Sequence, residues 1–378
     1  MDRLIQLRAF AQQDFGNDPL VLDLLDELLT RGLNDEARDL LSSLAPDRAA
    51  LPAFAWRSSR LALQIGDFTG AAAKLHGLLE AGNDSAAIRH DLAFAYLCDR
   101  RLDDAERTLA PVIPQSITEP AIGILHGRIL QHRRRLEDAA LIVEAVVDDH
   151  PTLAEAWGLL AMLMVDLVRP DEARSAAEKA LQLQEAQSDA LTALGTLALW
   201  QRDGHAAYLT FSAILATQPD AGRALAGAGE SLMLRGDIPG ARAFLSRAVE
   251  RMDNHIGTWH ALAWCALMEG DKPQATICFD KAFVLDRNFG ETHGGFAIIS
   301  ALDGRPEEAR GHIKVAMRLD ANGRNARFAQ SLIWSGEGKE REAAAMVEGI
   351  LADTGAASDG RGSAFIASLR QRLQGPDA

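Results

Sequence analysis

The chain has 378 residues, enough for two or three globular domains or for one extended array of repeats. Its net charge of −14 argues against nucleic acid as the main ligand, since domains that bind a phosphate backbone present a net basic face. Aromatic residues make up 6% of the chain and prolines number 13, a composition that favours packed helices over a sheet-rich fold.

The cysteines and the apolar stretches indicate in which cellular compartment the protein is expected. Cys98, Cys265 and Cys278 are too few and too far apart for a disulfide framework or a CxxC metal site. The first residues lack the apolar core of a secretion signal, and no stretch reaches the roughly 18 apolar residues of a membrane span. We therefore expect a cytoplasmic protein without membrane insertion. Its high alanine, leucine and arginine content is typical of GC-rich bacterial genomes and favours a bacterial source.

The first predicted element is a short helix ahead of any repeat. Within residues 1–17, Leu4, Leu7 and Phe10 follow helical spacing and precede Gly16. This pattern predicts an N-terminal capping helix.

A period of 34 residues governs the chain from residue 18 to residue 357. It predicts ten contiguous helical hairpins that start at residues 18, 52, 86, 120, 154, 188, 222, 256, 290 and 324. The alanine at position 20 of every repeat carries the phase without an insertion or deletion. These alanines are Ala37, Ala71, Ala105, Ala139, Ala173, Ala207, Ala241, Ala275, Ala309 and Ala343.

Each repeat position has a physical reason. Positions 4, 7, 8 and 11 form the buried face of a first helix, A, and positions 20, 24 and 27 form that of a second helix, B. Position 8 is small in nine repeats, which lets the two helices approach closely. Glycine at position 15 in six repeats suits a left-handed helix end, and proline often follows at the start of helix B.

The segment from Ala154 to Gln184, AEAWGLLAMLMVDLVRPDEARSAAEKALQLQ, resembles the tetratricopeptide-repeat consensus. The resemblance extends over residues 18–357 and implies an all-α fold, an α-solenoid in which antiparallel helix pairs form a right-handed superhelix. The matching residues are Trp157, Leu160, Ala161 and Met164 in helix A, and Ala173, Ala177 and Ala180 in helix B.

The last predicted element follows the repeats. Residues 358–378 open with the loop sequence SDGRGS and continue with Phe365, Ile366 and Leu369 at helical spacing. We expect a C-terminal capping helix there.

Motifs of catalysis and of metal or cofactor binding are missing from the sequence. It contains no HExxH, no GxSxG and no glycine-rich dinucleotide loop. We therefore expect no enzymatic activity, no cofactor and no metal.

In tetratricopeptide arrays the A helices line an inner groove, and positions 2, 5, 6, 9, 12 and 13, here called the groove face, lie off the buried stripe. In repeats 2 to 4 this face is net basic and interleaved with aromatic rings, a surface suited to acidic peptides. Its candidate binding residues are Trp56, Arg57, Arg60, His90, Phe94, Arg128 and His132, with Asp91 among them.

In repeats 5 to 9 the groove face is apolar, which predicts an adaptable wall for a partner segment. Small residues at position 6, namely Ala193, Gly227, Ala261 and Gly295, predict a floor with room for an inserted helix or strand. The candidate binding residues are Met162, Leu199, Trp200, Met233, Trp264, Met268 and Ile298, accompanied by Val165, Leu234 and Leu267.

The functional interpretation is a protein-interaction scaffold or adaptor that holds a partner segment with an apolar part and an acidic part. The alternative is a regulatory or substrate-presenting subunit of a separately encoded enzyme or of a polysaccharide or secretion assembly. A less favoured alternative is that the apolar wall is covered by the chain itself or by self-association. Asparagine is absent from position 6 of the first five repeats, which disfavours the carboxylate clamp that binds chaperone tails.

Overall fold

The computed structural model describes residues 2–116 and 118–353, and the predicted cap at 358–378 lies outside them. Within those residues the chain forms 22 α-helices and no strand. It divides into two compact units, residues 1–190 and residues 191–378, with the boundary inside the helix Ser188–Trp200.

The first unit begins with a helix that precedes the repeats. Two further short segments, the helix Pro46–Ala49 and the 3-10 turn Ala110–Gln115, follow B helices. The helices of this unit are α1 Arg3–Gln13, α2 Asp18–Thr30, α3 Asn34–Ser42, α4 Pro46–Ala49, α5 Pro52–Gln64, α6 Phe68–Glu80, α7 Ala86–Cys98, α8 Leu102–Leu109, α9 Pro120–His132, α10 Leu136–Asp149, α11 Ala154–Asp166 and α12 Pro170–Leu183.

The second unit consists of regular hairpins, and the helix at the boundary is α13. The helices are α13 Ser188–Trp200, α14 Gly204–Thr217, α15 Gly222–Leu234, α16 Ile238–Arg251, α17 Ile256–Glu269, α18 Lys272–Leu285, α19 Gly290–Leu302, α20 Pro306–Leu319, α21 Arg324–Gly336 and α22 Glu340–Asp353. In both units every A helix begins at position 1 of its repeat and every B helix at position 17.

Close contact between the helices of a hairpin depends on the small residues. The ten alanines at position 20 are inaccessible to solvent. At position 8, a Cβ on Gly127 would lie 2.5 Å from Val143 and one on Gly229 would lie 2.6 Å from Leu245. Val143 and Leu245 are the position-24 residues of their own hairpins, so helices A and B meet where position 8 faces position 24.

The turn between helices A and B has the same backbone geometry in all ten repeats. Position 15 has a positive φ whether or not it is glycine, for example +81° at Gly236 and +59° at Val168. The left-handed conformation is therefore set by the hairpin rather than by glycine. The four repeats without glycine accept it at Arg100, Arg134, Val168 and Arg202.

Two B helices are shorter than the 34-residue period alone would indicate. The third repeat's helix ends at Leu109, where Pro111 and Pro114 continue the chain as a 3-10 turn. The first repeat's helix ends at Ser42, and Pro46 starts α4. Proline lacks the N–H that a continuing helix requires, which accounts for both early ends.

No helix within residues 2–116 and 118–353 has the length and apolar character needed to cross a membrane.

Candidate functional site

The arginines of the groove face in the first unit are paired with carboxylates. Arg57 contacts Asp26 at 2.5 Å and Arg128 contacts Asp189 at 2.7 Å. Arg60 lies 3.9 Å from Asp26 as well. The expectation of a net-basic patch available to an acidic ligand is therefore wrong for these arginines, because carboxylates of other repeats supply their counter-ions.

The ring side chains of the groove face in repeats 2 to 4 also have polar partners within the fold in part. The Nε1–H of Trp56 donates to Asp91 at 2.8 Å, and Nδ1 of His90 lies 3.1 Å from the other oxygen of that carboxylate. Phe94 and His132 are exposed. The first unit thus presents a polar wall whose charges are largely matched within the fold.

The small residues at position 6 of the second unit do not form an empty floor. A Cβ on Gly227 would lie 2.3 Å from the ring of Phe211, and one on Gly295 would lie 2.5 Å from the ring of Phe279. Both rings come from position 24 of the preceding repeat and are buried. The prediction of room for an inserted segment at these two positions is wrong, because the glycines accommodate phenylalanine rings of the chain itself.

Several residues predicted to form an exposed apolar wall are buried instead. Met162 is 5% exposed and Ile298 is inaccessible, as is Leu267, while Val165 is 5% exposed. The A helices pack on one another within each unit, and this packing covers side chains that a single hairpin would expose. The expectation that Met162 and Ile298 are accessible for binding is therefore wrong.

The other predicted residues of the apolar wall differ in exposure. Leu199, Met233 and Met268 are half-buried against neighbouring core residues, and Trp200 is 47% exposed. Trp264 is half-buried and lies in a cleft of the second unit. Whether any of them binds a partner remains a prediction.

The cleft that contains Trp264 has a volume of about 560 Å³ and mainly apolar walls. It is formed by α17, the start of α19 and the helices α21 and α22 of the last repeat, all within the second unit. We call it the 257–351 cleft. Its lining residues are Gly257, His260, Trp264, Phe289, Glu291, Arg324, Asn325, Phe328, Val347, Ile350 and Leu351.

A chain of hydrogen bonds holds the A helices at this cleft. The Nε1–H of Trp264 donates to Oδ1 of Asn325 at 3.2 Å, and the Nδ2–H of Asn325 donates to the carbonyl of Glu291 at 3.0 Å. The Glu291 carboxylate accepts the backbone N–H groups of Arg324 and Asn325 at 2.6 and 2.9 Å. Glu291 therefore supplies the N-terminal cap of α21, which its own Gly323 cannot provide.

His260 adds a neutral ring to the wall of the cleft. Burial lowers its pKa to about 4, so the imidazole carries no charge at neutral pH. Its Nε2 lies 2.9 Å from Oγ1 of Thr292, and its ring meets those of Phe279 and Phe289 edge-on at 5.3 and 5.4 Å. The ring therefore acts as part of the apolar wall.

Arg324 carries a positive charge at the edge of the cleft. It is exposed, and its guanidinium group has no ion-pair partner within residues 2–116 and 118–353. The nearby Arg327, by contrast, pairs with Asp353 at 2.5 Å. Within the part of the chain that the structure describes, the cleft thus combines an apolar interior with the available cation of Arg324.

Sequence reasoning found Trp264 but missed most of the cleft. His260 and Phe328 occupy position 5, and Asn325 occupies position 2, both positions of the predicted groove face. Asn325 and Phe328 lie in the last repeat, beyond repeats 5 to 9 in which the apolar wall was predicted, and His260 is not an apolar residue. Ile350 and Leu351 gave no such signal. They belong to a B helix, whose counterparts in the second unit pack on a following A helix.

Groups suited to metal binding are absent from the described part of the chain, where no three histidine, cysteine or acidic residues come together. Cys98, Cys265 and Cys278 are free thiols, and the last two are buried.

Comparisons with known proteins identify the repeat. A family model described as tetratricopeptide repeat matches residues 62–129. No curated protein matches the chain. A structure of the human IFIT1 dimer with m7Gppp-AAAA shares 12% identity and a TM-score of 0.59, over 99% of this chain and 96% of that one. The human IFIT1 dimer with PPP-AAAA shares 15% identity and a TM-score of 0.56, over 93% and 95% of the two chains.

A tetratricopeptide repeat protein from Parabacteroides merdae shares 17% identity and a TM-score of 0.44, over 65% of this chain and 98% of that one. At these identities the solved structures bear on the fold alone. The 34-residue period, the ten buried alanines, the helical hairpins and the family match together identify the chain as a tetratricopeptide-repeat protein with an all-α solenoid fold.

Proposed function

We propose that the chain is a non-catalytic scaffold or adaptor that binds a segment of a partner protein in the 257–351 cleft. The observation that carries this proposal is an apolar cleft of about 560 Å³ with three aromatic residues, Trp264, Phe289 and Phe328, in its walls. Cavities of this size and character are typical of binding sites for apolar groups.

The polar groups of the cleft are hydrogen-bonded within the fold, which also favours an apolar ligand. Trp264, Asn325 and Glu291 bond with one another, and His260 bonds with Thr292, so a ligand need not satisfy them. Burying one large apolar side chain there is worth about 1.5–3 kcal/mol. A short segment of a partner protein can supply such a side chain.

The proposed partner is a protein, and neither nucleic acid nor a membrane. The net charge of −14 and the paired arginines of the first unit oppose binding to a phosphate backbone. The RNA ligands of the IFIT1 structures are properties of IFIT1. We further propose a cytoplasmic protein, which the free thiols support because reducing compartments keep cysteines unpaired.

Filling the cleft tests the proposal. In Gly257→Leu the nearest atoms to the added Cβ belong to the His255 side chain, at 3.1 Å, so the fold should survive with a small shift of that ring. Gly311→Leu is the matched control, because Gly311 is helical, exposed and without a neighbour within 4 Å of its Cβ. Each tagged chain is used for co-purification and mass spectrometry, and the partner is then produced and titrated against both variants.

We expect a partner that binds the native chain and Gly311→Leu equally and binds Gly257→Leu at least tenfold more weakly. Equal affinity for both variants would show that the 257–351 cleft is not the binding surface. A partner with enzymatic activity that responds to binding would assign the chain to the regulatory-subunit alternative, with the same cleft in use.

A further inference from the structure

The charged residues at the 257–351 cleft bear on which apolar segments of a partner could bind there. Of the described residues that line the cleft, two are charged, Glu291 and Arg324. The carboxylate oxygens of Glu291 each accept a backbone N–H at the start of α21, at 2.6 and 2.9 Å. This bonding directs the negative charge of Glu291 at the helix N-terminus, where the helix dipole stabilises it.

Arg324 is in the opposite situation. Its backbone N–H is used by Glu291, but its exposed side chain pairs with no carboxylate among the residues that the structure describes. Arg310 on the preceding helix α20, by contrast, does have partners, Glu307 and Glu337. His260 adds no charge at neutral pH. Among the lining residues that the structure describes, Arg324 is therefore the charged group still able to pair with a ligand.

We infer that the cleft, if it binds a partner as proposed above, selects a segment in which an acidic residue flanks a large apolar residue. The apolar side chain contacts the rings of Trp264 and Phe289, which line the cleft, and the carboxylate pairs with the Arg324 guanidinium at the edge. An arginine fork binds a carboxylate through two parallel hydrogen bonds, which adds directional selectivity to the apolar contact.

Three synthetic peptides test the inference directly with the full chain. Each is a fluorescein-labelled eight-residue peptide with a central Phe-Leu pair, flanked on both sides by glutamate, by glutamine or by lysine. Binding is followed by fluorescence anisotropy at low salt. We expect the glutamate peptide to bind about threefold more tightly than the glutamine peptide and about tenfold more tightly than the lysine peptide, which is the range of an exposed ion pair.

The variant Arg324→Glu should reverse this order, so that the lysine peptide becomes the tightest ligand. Arg318→Glu is the matched control, because it makes the same change in net charge at an exposed site at the end of α20. Thermal melting of both variants checks that they fold. An unchanged peptide order in Arg324→Glu, or the same reversal in Arg318→Glu, would overturn the inference.

Two further ligands decide between other occupants. A labelled 5′-triphosphate oligoadenylate that displaces the glutamate peptide at lower concentrations would overturn the inference in favour of nucleic acid. Peptide binding that arises only after Phe365→Asp/Ile366→Asp would also overturn it, in favour of the chain's own C-terminal segment. If Gly257→Leu abolishes partner binding while Arg324→Glu leaves the peptide order unchanged, the proposed function stands and this inference alone fails.

Discussion

The two units use the same repeat positions to build different surfaces. In the first unit, Arg128 at position 9 reaches Asp189 at position 2 two repeats later. In the second unit, Trp264 at position 9 reaches Asn325, also at position 2 two repeats later. Both pairs are separated by 61 residues, so one backbone register yields an ion pair in one unit and an aromatic wall in the other.

The comparison shows that the period determines which positions meet, whereas residue identity determines what the surface can bind. Charged residues at the meeting positions of the first unit neutralise each other. Aromatic and amide residues at those positions in the second unit leave an apolar cleft. The variants below probe this difference, from the largest expected effect to the smallest.

The largest effect should come from the ring that fills position 24 in the second unit. Phe279→Ala is expected to lower the free energy of unfolding by about 3–5 kcal/mol, because the cavity cannot collapse onto Gly295. Leu75→Ala is the counterpart in the first unit, with an expected loss of about 2–4 kcal/mol. Hydrogen exchange measured by mass spectrometry locates each loss in its unit.

The double variant Phe279→Leu/Gly295→Ala provides the control. The methyl group of Gly295→Ala restores part of the volume that Phe279→Leu removes, so the double variant should be more stable than Phe279→Leu alone. Equal stability of the two variants would contradict the complementary packing of ring and glycine.

Acid should destabilise the second unit through His260. Its pKa is about 4 in the fold and 6.5 without burial, so the unfolded chain binds more protons between these pH values. The free energy of unfolding is therefore highest with His260 neutral at pH 7, and it decreases as the pH falls from 6.5 towards 4. We expect that in His260→Leu the decrease in the free energy of unfolding between pH 7 and pH 4.5 is smaller by about 2 kcal/mol than in the native chain.

Urea unfolding of the native chain and of His260→Leu at both pH values measures this contribution. His76→Leu serves as the control, since it makes the same substitution at an exposed histidine of the first unit. The same pH dependence in the native chain and in His260→Leu would rule out His260 as the source.

Salt should distinguish the two contacts that span 61 residues. Arg128→Met removes a partly exposed ion pair and should cost about 1 kcal/mol at low salt, and less in 1 M NaCl. Trp264→Phe removes a neutral hydrogen bond and should cost about 1 kcal/mol at either salt concentration. Thermal melting at both salt concentrations compares the variants, and an equal salt response would contradict the distinction.

The smallest effect concerns the turns. Val168 is a branched residue held at a φ of +59°, whereas the last four repeats have glycine at this position. Val168→Gly should stabilise the chain by about 1 kcal/mol, because the strain of the left-handed conformation exceeds the entropic cost of glycine. The reciprocal variant Gly66→Val should be destabilised by a similar amount in thermal melting, and a loss of stability in Val168→Gly would show that the turn is unstrained.

The sequence predicted the features that depend on local spacing. The alanine at position 20, the small residue at position 8 and the left-handed position 15 have the predicted environments, because each reflects contacts within one hairpin. The short B helix at Leu109 could also have been predicted, since Pro111 and Pro114 cannot continue a helix.

The accessibility of the groove face could not be predicted from spacing. Met162 and Ile298 share position 9 with Arg128 and Trp264, yet packing between A helices buries the two aliphatic side chains. Gly227 and Gly295 were interpreted as space for a ligand, although Phe211 and Phe279 from the preceding repeats fill it. These outcomes depend on side-chain volumes across a hairpin boundary.

The sequence by itself therefore determined the repeat, its phase and the class of fold, since a hairpin that recurs every 34 residues can bury its apolar face only against its neighbours. Only the tertiary structure decided where a cleft remains. In the first unit, ion pairs engage the arginines of the groove face. In the second unit, phenylalanine rings fill the space beside the glycines at position 6. The 257–351 cleft lies where the B helix of the last repeat contributes Ile350 and Leu351 to its lining.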